Sequence, residues 1–288
     1  MESRLQLRIQ RYGWDLAAEA YEALWQTQLA DARSRLLESA ALVPGESVLD
    51  IACGTGLVSF AAALAVGPAG RVVGVDLSER MVEAARQRAR ERNTPNTTFL
   101  RMEMGRLALP DASFDVATCA LGLMYAPDPA LALAELRRVL RPGGRVAIAV
   151  WGERARCGWA DVLRIVDEEV ASEVCPLFFR YGQGDALARA CASAGFTVTA
   201  QHRVPTTLAY ASADEACDAA FIGGPVALAW SRFDAATRER ARRRYIESIA
   251  PWRTPRGYGL PGEFVVVSAT TGDRDAVGGR SARSPGST

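Results

Sequence analysis

Two kinds of apolar spacing alternate along the middle of the chain. Short runs rich in valine, isoleucine and leucine, typical of strands buried on both faces, occupy residues 48–51, 71–76, 97–102, 114–119 and 145–151. Between them, apolar residues recur every three to four positions at 57–65, 78–89 and 129–140, which predicts helices. Ser78 and Asp128 are suitable N-caps for the last two. Strands alternating with helices predict an α/β fold with a doubly wound, mostly parallel sheet.

The flanking regions are less regular. Apolar residues at helical spacing between 14 and 43, including Tyr21 and Trp25, predict N-terminal helices within 1–43. These helices either cover the sheet edge or form a cap over a ligand, with the hydroxyl of Tyr12 or Tyr21 reaching a bound carboxylate. After 151 we expect helices at 159–174 and 185–194 and strands at 196–204 and 264–267. Residues 271–288 are rich in Gly, Ser, Arg and Asp, a composition that predicts a disordered tail.

A glycine turn follows the first predicted strand. Gly54 and Gly56 stand between that strand and a helix, a geometry in which backbone N–H groups meet a polar ligand without an intervening Cβ. Asp76 ends the second strand, about twenty residues after Gly56, where a carboxylate can accept two hydrogen bonds from a ribose diol. Together with Asp50, which precedes the turn, these residues predict a nucleoside-binding site.

The residues around the turn limit which kind of nucleotide the site can bind. A phosphate-binding loop (P-loop) requires a lysine after the glycines, and none is present here. A dinucleotide site requires a third glycine or alanine where this chain has Ser59. The carboxylates of Asp50 and Asp76 disfavour a pyrophosphate and favour a cation. The sulfonium and ammonium groups of S-adenosylmethionine meet that demand.

Composition limits the partners. The formal net charge is +1, with 49% apolar and 23% charged residues, so we expect neither nucleic acid nor a membrane as partner. No run reaches transmembrane length, and the first residues lack an apolar signal core. The six cysteines show no Cys-x2-Cys pairing, so we expect them to be reduced and the protein to be cytoplasmic, with no metal site.

The stretch 48–56, Val-Leu-Asp-Ile-Ala-Cys-Gly-Thr-Gly, combined with Leu-Arg-Pro-Gly-Gly at 140–144, closely resembles class I S-adenosylmethionine-dependent methyltransferases. The nearest type is that of ubiquinone and menaquinone biosynthesis, and the resemblance extends from about 21 to 151. It implies a seven-stranded Rossmann-like sheet whose last strand runs antiparallel. On that basis the core comprises 44–204 and 262–270, and 205–261 form an inserted helical lid over the acceptor site.

The resemblance also implies the cofactor contacts. Asp50, Gly54 and Gly56 would hold the methionine end, and Asp76 would bind the ribose. The adenine would lie beside Leu77 and Met81, with Glu103 at the place of an aspartate that receives its amino group. The remaining implied contacts are Met104 and Cys119, and Tyr21 is a further candidate from the aromatic face of the N-terminal helices. Two positions depart from the family pattern, because Ala52 replaces the first motif glycine and Glu103 is one methylene longer than aspartate.

The acceptor pocket should lie over the carboxyl ends of the strands. Tyr125, Trp151, Cys157 and Trp159 belong to stretches expected there, and their character indicates a small, largely apolar acceptor. The expected reaction is in-line methyl transfer to carbon or oxygen of a quinone-like or other secondary metabolite.

The sequence does not identify a catalytic residue, and it leaves several alternative functions open. The only histidine, His202, falls in an apolar run, so no catalytic base is assigned. Transfer to sulfur of a thiol or another soft acceptor is the alternative within the same class. An NAD(P)-dependent oxidoreductase and a non-catalytic cofactor-binding protein are the alternatives of other classes. A homodimer is also left open.

Overall fold

A computed structural model describes residues 3–170 and 177–272. Its centre is one mixed sheet in the order β3-β2-β1-β4-β5-β8-β6, with β7 paired to β8. The first five strands are parallel, and β8 lies antiparallel between β5 and β6. The strands are β1 Ser47–Ile51, β2 Arg71–Asp76, β3 Thr97–Arg101, β4 Phe114–Ala120, β5 Leu140–Trp151, β6 Thr197–Tyr210, β7 Arg253–Thr254 and β8 Gly257–Thr270.

Helices cover both faces of this sheet, and apolar cores lie between the layers. A large core includes Leu49, Ile148 and Val267, and a second core on the opposite side includes Val48, Val116 and Leu36. Adjacent positions of a strand point to opposite faces, so Val48 and Leu49 belong to different cores. The helices are α1 Ser3–Trp25, α2 Ala30–Ala40, α3 Leu57–Val66, α4 Glu79–Glu91, α5 Pro129–Val139, α6 Asp161–Val170, α7 Ala186–Ser193, α8 Ala213–Phe221, α9 Ala227–Arg232 and α10 Ala235–Ile249.

The predicted central elements are confirmed. The side chain of Ser78 caps α4 by accepting from the N–H of Met81 at 3.1 Å. That of Asp128 caps α5 by accepting from the N–H of Leu131 at 3.1 Å. Strand β8 runs antiparallel as expected. The sheet has eight strands rather than seven, because the two-residue strand β7 pairs with β8.

Two strand boundaries after β5 differ from the expectation. Strand β6 continues to Tyr210 and β8 begins at Gly257, because the two pair along their whole length as a long antiparallel ribbon. The segment inserted between them is therefore 211–256 rather than 205–261, and it contains α9, which was not predicted. The end of the helix predicted at 159–174 and the tail 273–288 lie outside the described residues, as does Cys175. No helix within 3–170 and 177–272 is long and apolar enough to cross a membrane.

Candidate cofactor and acceptor site

The turn between β1 and α3 adopts left-handed backbone at three nearby positions. Gly54 has φ of +54° and Gly56 has φ of +91°, values that glycine adopts without a Cβ penalty. Ala52 also has φ of +54°, although a side chain in this region costs about 1–2 kcal/mol. A Cβ on Gly56 would lie 2.7 Å from the Phe60 ring, so Gly56 is needed for close packing of the turn on α3. The conformation keeps the backbone of Gly54 at the surface of the site.

Asp76 connects this turn to the second strand. Its Oδ2 accepts a hydrogen bond of 2.9 Å from the N–H of Gly54, and its Oδ1 accepts one of 2.9 Å from the N–H of Ser78. Burial raises the pKa of Asp76 above its ordinary value, while these two N–H groups oppose the shift. A carboxylate has about four lone-pair positions, so both oxygens can still accept from a ligand. Asp76 is therefore placed both to hold the turn and to bind a diol.

A cavity of about 260 Å³ opens at the carboxyl ends of β1, β2 and β4. This is the edge at which ligands bind in open α/β sheets. Seven of the expected cofactor residues line it. They are Tyr21, Gly54, Asp76, Leu77, Met81, Glu103 and Met104.

The charge of this cavity fits a cationic nucleoside. Asp76, Glu103 and Asp128 line it, and no lysine or arginine is among its described lining residues. A pyrophosphate would find no counter-charge here, whereas a sulfonium and an ammonium group would. Met81, Met102 and Met104 supply an apolar wall suited to an adenine ring. The acidic and apolar side chains of this cavity thus fit S-adenosylmethionine and do not fit a dinucleotide.

Helix α1 forms the outer wall of the cavity. Leu7, Gln10, Trp14 and Tyr21 line it and share one helix face, since their positions differ by three, four and seven. This supports the cap interpretation for α1, whereas α2 packs on the sheet through residues such as Leu36. Tyr12, the other candidate hydroxyl, is not among the lining residues and is 46% exposed.

Two carboxylates of α1 attach it to the loops of the site. Oδ1 of Asp15 accepts from the hydroxyl of Ser78 at 2.6 Å. Glu22 accepts from the hydroxyl of Thr55, in the glycine turn, at 3.1 Å, and pairs with the guanidinium of Arg88 at 2.8 Å. Helix α1 is therefore bonded to both ligand-facing loops, at the ends of β1 and β2.

Asp50 differs from the expectation. Its carboxylate does not line the cofactor cavity but accepts hydrogen bonds from the hydroxyls of Ser59 at 2.5 Å and Thr118 at 2.8 Å. The residue is 1% exposed, and burial raises its pKa to about 6. Asp50 thus ties β1 to α3 and β4. It lines a smaller cavity of about 40 Å³ that adjoins the cofactor cavity and shares Tyr21 and Gly54 with it, so its contact with the methionine end stays a prediction.

An aromatic cavity of about 40 Å³ adjoins the cofactor cavity. The two share Trp14, Tyr21, Leu121 and Tyr125 as walls. Trp151 and Trp159, both expected at the acceptor side, line the aromatic cavity with their ring centroids 4.7 Å apart. Gly223, Gly224 and Pro225, from the α8–α9 connection, close it.

Two cysteines with expected roles lie outside both cavities. Cys119 is buried below Gly122, and burial raises its pKa to about 12. Cys157 is also buried, with its sulfur 3.9 Å from the carbonyl oxygen of Glu263 and its pKa raised to about 12 by burial. Within the described residues no cluster of His, Cys, Asp and Glu could hold a metal ion.

Several wall residues were not assigned from the sequence. Leu7 and Gln10 precede the aromatic spacing that drew attention to 14–43, but they continue the same helix face. Leu121, at the end of β4, has φ of +58° and lines both cavities. Asp128 was explained as a helix cap and also lines the cofactor cavity. The periodicity of α1 could have identified the first two, whereas no local pattern marks Leu121.

Comparison with known proteins identifies the class. A family described as "Methyltransferase domain" matches residues 42–205. The chain belongs to this family and is a class I S-adenosylmethionine-dependent methyltransferase by fold and cofactor site. A methyltransferase structure from Bacillus halodurans superposes with a TM-score of 0.61 at 21% identity, over 83% of this chain and 98% of that one. A geranyl diphosphate methyltransferase, in complex with that substrate and sinefungin, gives a TM-score of 0.51 at 19% identity, over 83% of this chain and 76% of that one.

Curated relatives cover a shorter region. A demethylmenaquinone methyltransferase of Lactococcus lactis is 40% identical over 114 residues, which are 40% of this chain and 45% of that protein. An arsenite methyltransferase of Halobacterium salinarum is 41% identical over 110 residues, 38% of this chain and 28% of that protein. The match thus spans less than half of either relative, so the likeness concerns the cofactor-binding part.

Proposed function

We propose that this protein transfers a methyl group from S-adenosylmethionine to carbon or oxygen of a small, largely apolar acceptor of quinone-like character. The proposal rests on one observation. The cofactor cavity and the aromatic cavity share four wall residues, Trp14, Tyr21, Leu121 and Tyr125. A cofactor site with acidic walls therefore adjoins an uncharged aromatic one. The menaquinone-type relative supports a conjugated ring as acceptor.

In this proposal Asp76 holds the ribose, Leu77, Met81 and Met104 enclose the adenine, and Glu103 receives its amino group. The turn at Gly54 lies against the methionine end, and Asp50 supports that turn from the adjoining cavity. When bound, S-adenosylmethionine supplies a methyl carbon whose bond to sulfur breaks as its bond to the acceptor forms, leaving the electron pair on sulfur. The residues of the chain align the two reactants and exclude water.

The described walls of the aromatic cavity offer no strong base. They contain no histidine, lysine or carboxylate, and their only hydroxyl groups are those of Tyr21 and Tyr125. Burial and the charge of Asp76 raise the pKa of Tyr21 well above its ordinary value. We therefore propose that the acceptor enters already ionised, or loses its proton to water because its own conjugation makes that proton acidic.

Two helical regions enclose the acceptor in this scheme. Helix α1 packs against α8 and α9 of the segment 211–256. The backbone at Gly13 is so close to α9 that a Cβ built there would lie 3.7 Å from the Cβ of Leu228. A Cβ on Gly223 would lie 2.9 Å from Leu24 of α1. We propose that 211–256 acts as the lid and that α1 joins it to the cofactor cavity. The remaining described strands and helices form the core.

Calorimetric titration of the purified protein with S-adenosylhomocysteine, with NAD in parallel, tests the cofactor assignment. Micromolar binding of the first and none of the second is expected. An acceptor screen of phenols, naphthoquinols and small thiols, read by mass increase of the product, then tests the reaction. Binding of NAD alone, or methylation only of thiols, would contradict the proposal.

A further inference from the structure

Three cavities of the site meet at two residues. The third is the smaller cavity that Asp50 lines, which we call the α2 cavity because Ala32 and Arg33 of α2 form its outer wall. Tyr21 and Leu121 line this cavity, the cofactor cavity and the aromatic cavity. Leu121 has left-handed backbone at the junction, and strain of this kind clusters at ligand sites. A ligand at the junction can therefore extend into all three cavities.

S-adenosylmethionine branches in the same way. Its sulfur carries three carbon substituents, namely the adenosyl group, the methyl group and an aminocarboxypropyl chain that ends in an ammonium and a carboxylate. In the proposed function the ribose lies at Asp76, so the adenosyl group would occupy the cofactor cavity and the methyl group would face the aromatic cavity. The α2 cavity then remains for the aminocarboxypropyl chain.

The α2 cavity contains the cation that a carboxylate requires. Arg33 is the only lysine or arginine among the described lining residues of the three cavities. Leu57 and Val58, the first two residues of α3, also line the α2 cavity, and the N-terminal end of a helix favours a negative group. The charge of the α2 cavity therefore differs from that of the cofactor cavity in the sense that the two ends of the cofactor demand.

The charge of Arg33 acts at the junction. Burial and the charge of Asp76 raise the pKa of Tyr21, and the positive charge of Arg33 opposes this shift. The guanidinium is thus close enough to the Tyr21 hydroxyl to affect its ionisation.

This guanidinium is not committed to a carboxylate of the chain. Within residues 3–170 and 177–272 its one hydrogen bond is to the carbonyl oxygen of Gln26 at 3.4 Å, and it forms no ion pair there. Arg35, two positions later on the same helix, pairs with Glu38 at 2.9 Å. Arg33 therefore keeps its donors for another partner.

We propose that Arg33 binds the carboxylate at the amino-acid end of the cofactor and selects cofactors that carry this group. This inference rests on the proposed function and adds a specificity-determining residue to the same site. The planar guanidinium offers five N–H donors in a geometry that matches a carboxylate. With the ribose held at Asp76 and the carboxylate at Arg33, the sulfur would be fixed at the junction, with its methyl group directed to the acceptor.

S-adenosylhomocysteine and its decarboxylated analogue, 5′-(3-aminopropylthio)-5′-deoxyadenosine, provide a matched pair of probes, because they differ only by the carboxylate. Their affinities are measured by calorimetry for the wild type and for Arg33→Met, which keeps an apolar stem and removes the charge. The wild type is expected to bind S-adenosylhomocysteine roughly tenfold or more tightly than the analogue. In Arg33→Met this ratio should fall to about one, with the affinity for the analogue unchanged.

Arg35→Met is the matched control, because Arg35 lies on the same helix and lines none of the three cavities. It should keep the wild-type ratio. Arg33→Lys retains the charge without the planar geometry, so its ratio should lie between those of Arg33→Met and the wild type. A wild-type ratio near one, an unchanged ratio in Arg33→Met, or an equal loss of ratio in Arg35→Met would each overturn the inference.

Failure of the proposed function gives a different result. No acceptor takes part in these titrations, so an acceptor screen without product would contradict the proposed function and leave the ratio intact. A wild type that binds neither probe would overturn both proposals, whereas a wild type that binds both probes equally would overturn the role of Arg33 alone.

Discussion

The carboxylate of Asp76 accepts the backbone N–H of Gly54 at 2.9 Å, so the end of the second strand fixes the turn after the first. The bond joins two positions that are 22 residues apart in sequence. Substitution of Asp76 would therefore act twice, by removing a ligand for the ribose and by releasing the turn.

Asp76→Asn is expected to weaken binding of S-adenosylhomocysteine by about 1–3 kcal/mol, roughly 5- to 150-fold, because a charged acceptor is lost. Asp115→Asn is the control. Asp115 also accepts a backbone N–H, that of Ser47 at 2.9 Å, but it lies near the start of β4, away from the carboxyl ends of the strands. Calorimetry should show unchanged affinity for Asp115→Asn. Equal affinity of a folded Asp76→Asn variant and the wild type would refute the ribose assignment.

Glu22→Gln is expected to speed cofactor release. Glu22 bonds α1 to Thr55 and Arg88, and loss of its charge removes the ion pair that holds the helix over the cavity. A charge-assisted contact of this kind contributes about 1–2 kcal/mol, which predicts a roughly 5- to 30-fold faster dissociation of S-adenosylhomocysteine by stopped-flow fluorescence. Glu19→Gln, an exposed position on the same helix, should leave the rate unchanged. Equal rates for the wild type and Glu22→Gln would contradict a cap that must open.

The central strands and the glycine turn could be predicted because each is marked locally, by a buried apolar run, a cap or a pair of glycines. The role of α1 could not, because an amphipathic face shows that something is covered but not whether it is the sheet or a ligand. The orientation of the Asp50 side chain could not be predicted either, because it depends on tertiary contacts. Its partners Ser59 and Thr118 come from α3 and β4, and only the fold brings them together. The full lengths of β6 and β8 were missed because much of β6 alternates between exposed and half-buried positions.

Asp50 should make stability depend on pH. Its pKa is about 6 in the folded protein and 3.8 in the unfolded chain, so between these values the folded state binds more protons. The contribution of Asp50 to stability is therefore greatest below about pH 3.8 and falls as the pH rises towards 6, by about 3 kcal/mol in all. Asp50→Asn removes this dependence. The free energy of unfolding of the variant minus that of the wild type should rise by most of that amount from about pH 4 to pH 7.

Denaturant titrations at several pH values measure this difference. The dependence that Asp76 contributes is present in both proteins and cancels in large part, the remainder arising because the charge of Asp76 is one cause of the raised pKa of Asp50. Ser59→Ala, which removes one hydrogen bond to the ionised form of Asp50, should raise the pKa of Asp50 further and steepen the loss of stability with pH. A difference between Asp50→Asn and the wild type that does not change with pH would show that Asp50 is not the titrating group.

Ala52 and Gly122 form the last testable pair. Ala52 stands where the family motif has glycine, and a Cβ built on Gly122 would lie 2.3 Å from the Cβ of Ala52. Gly122 has φ of −100°, which any residue adopts, so its lack of a side chain is a matter of space and not of backbone conformation. Gly122→Ala should therefore lower the free energy of unfolding by about 1–3 kcal/mol through overpacking.

The double variant Ala52→Gly with Gly122→Ala should recover most of that loss, because one methyl group then replaces the other in the same space. Ala52→Gly alone has opposing effects on stability. It relieves the strain of left-handed backbone at position 52, which stabilises the protein. It also removes a methyl contact and gives the unfolded chain more conformational freedom, which destabilises it. The informative quantity is the coupling energy of the cycle, expected to be at least about 1 kcal/mol from denaturant unfolding of all four proteins. Additive effects would mean that the two loops do not touch, and that another neighbour, such as Cys119, limits the space at Gly122.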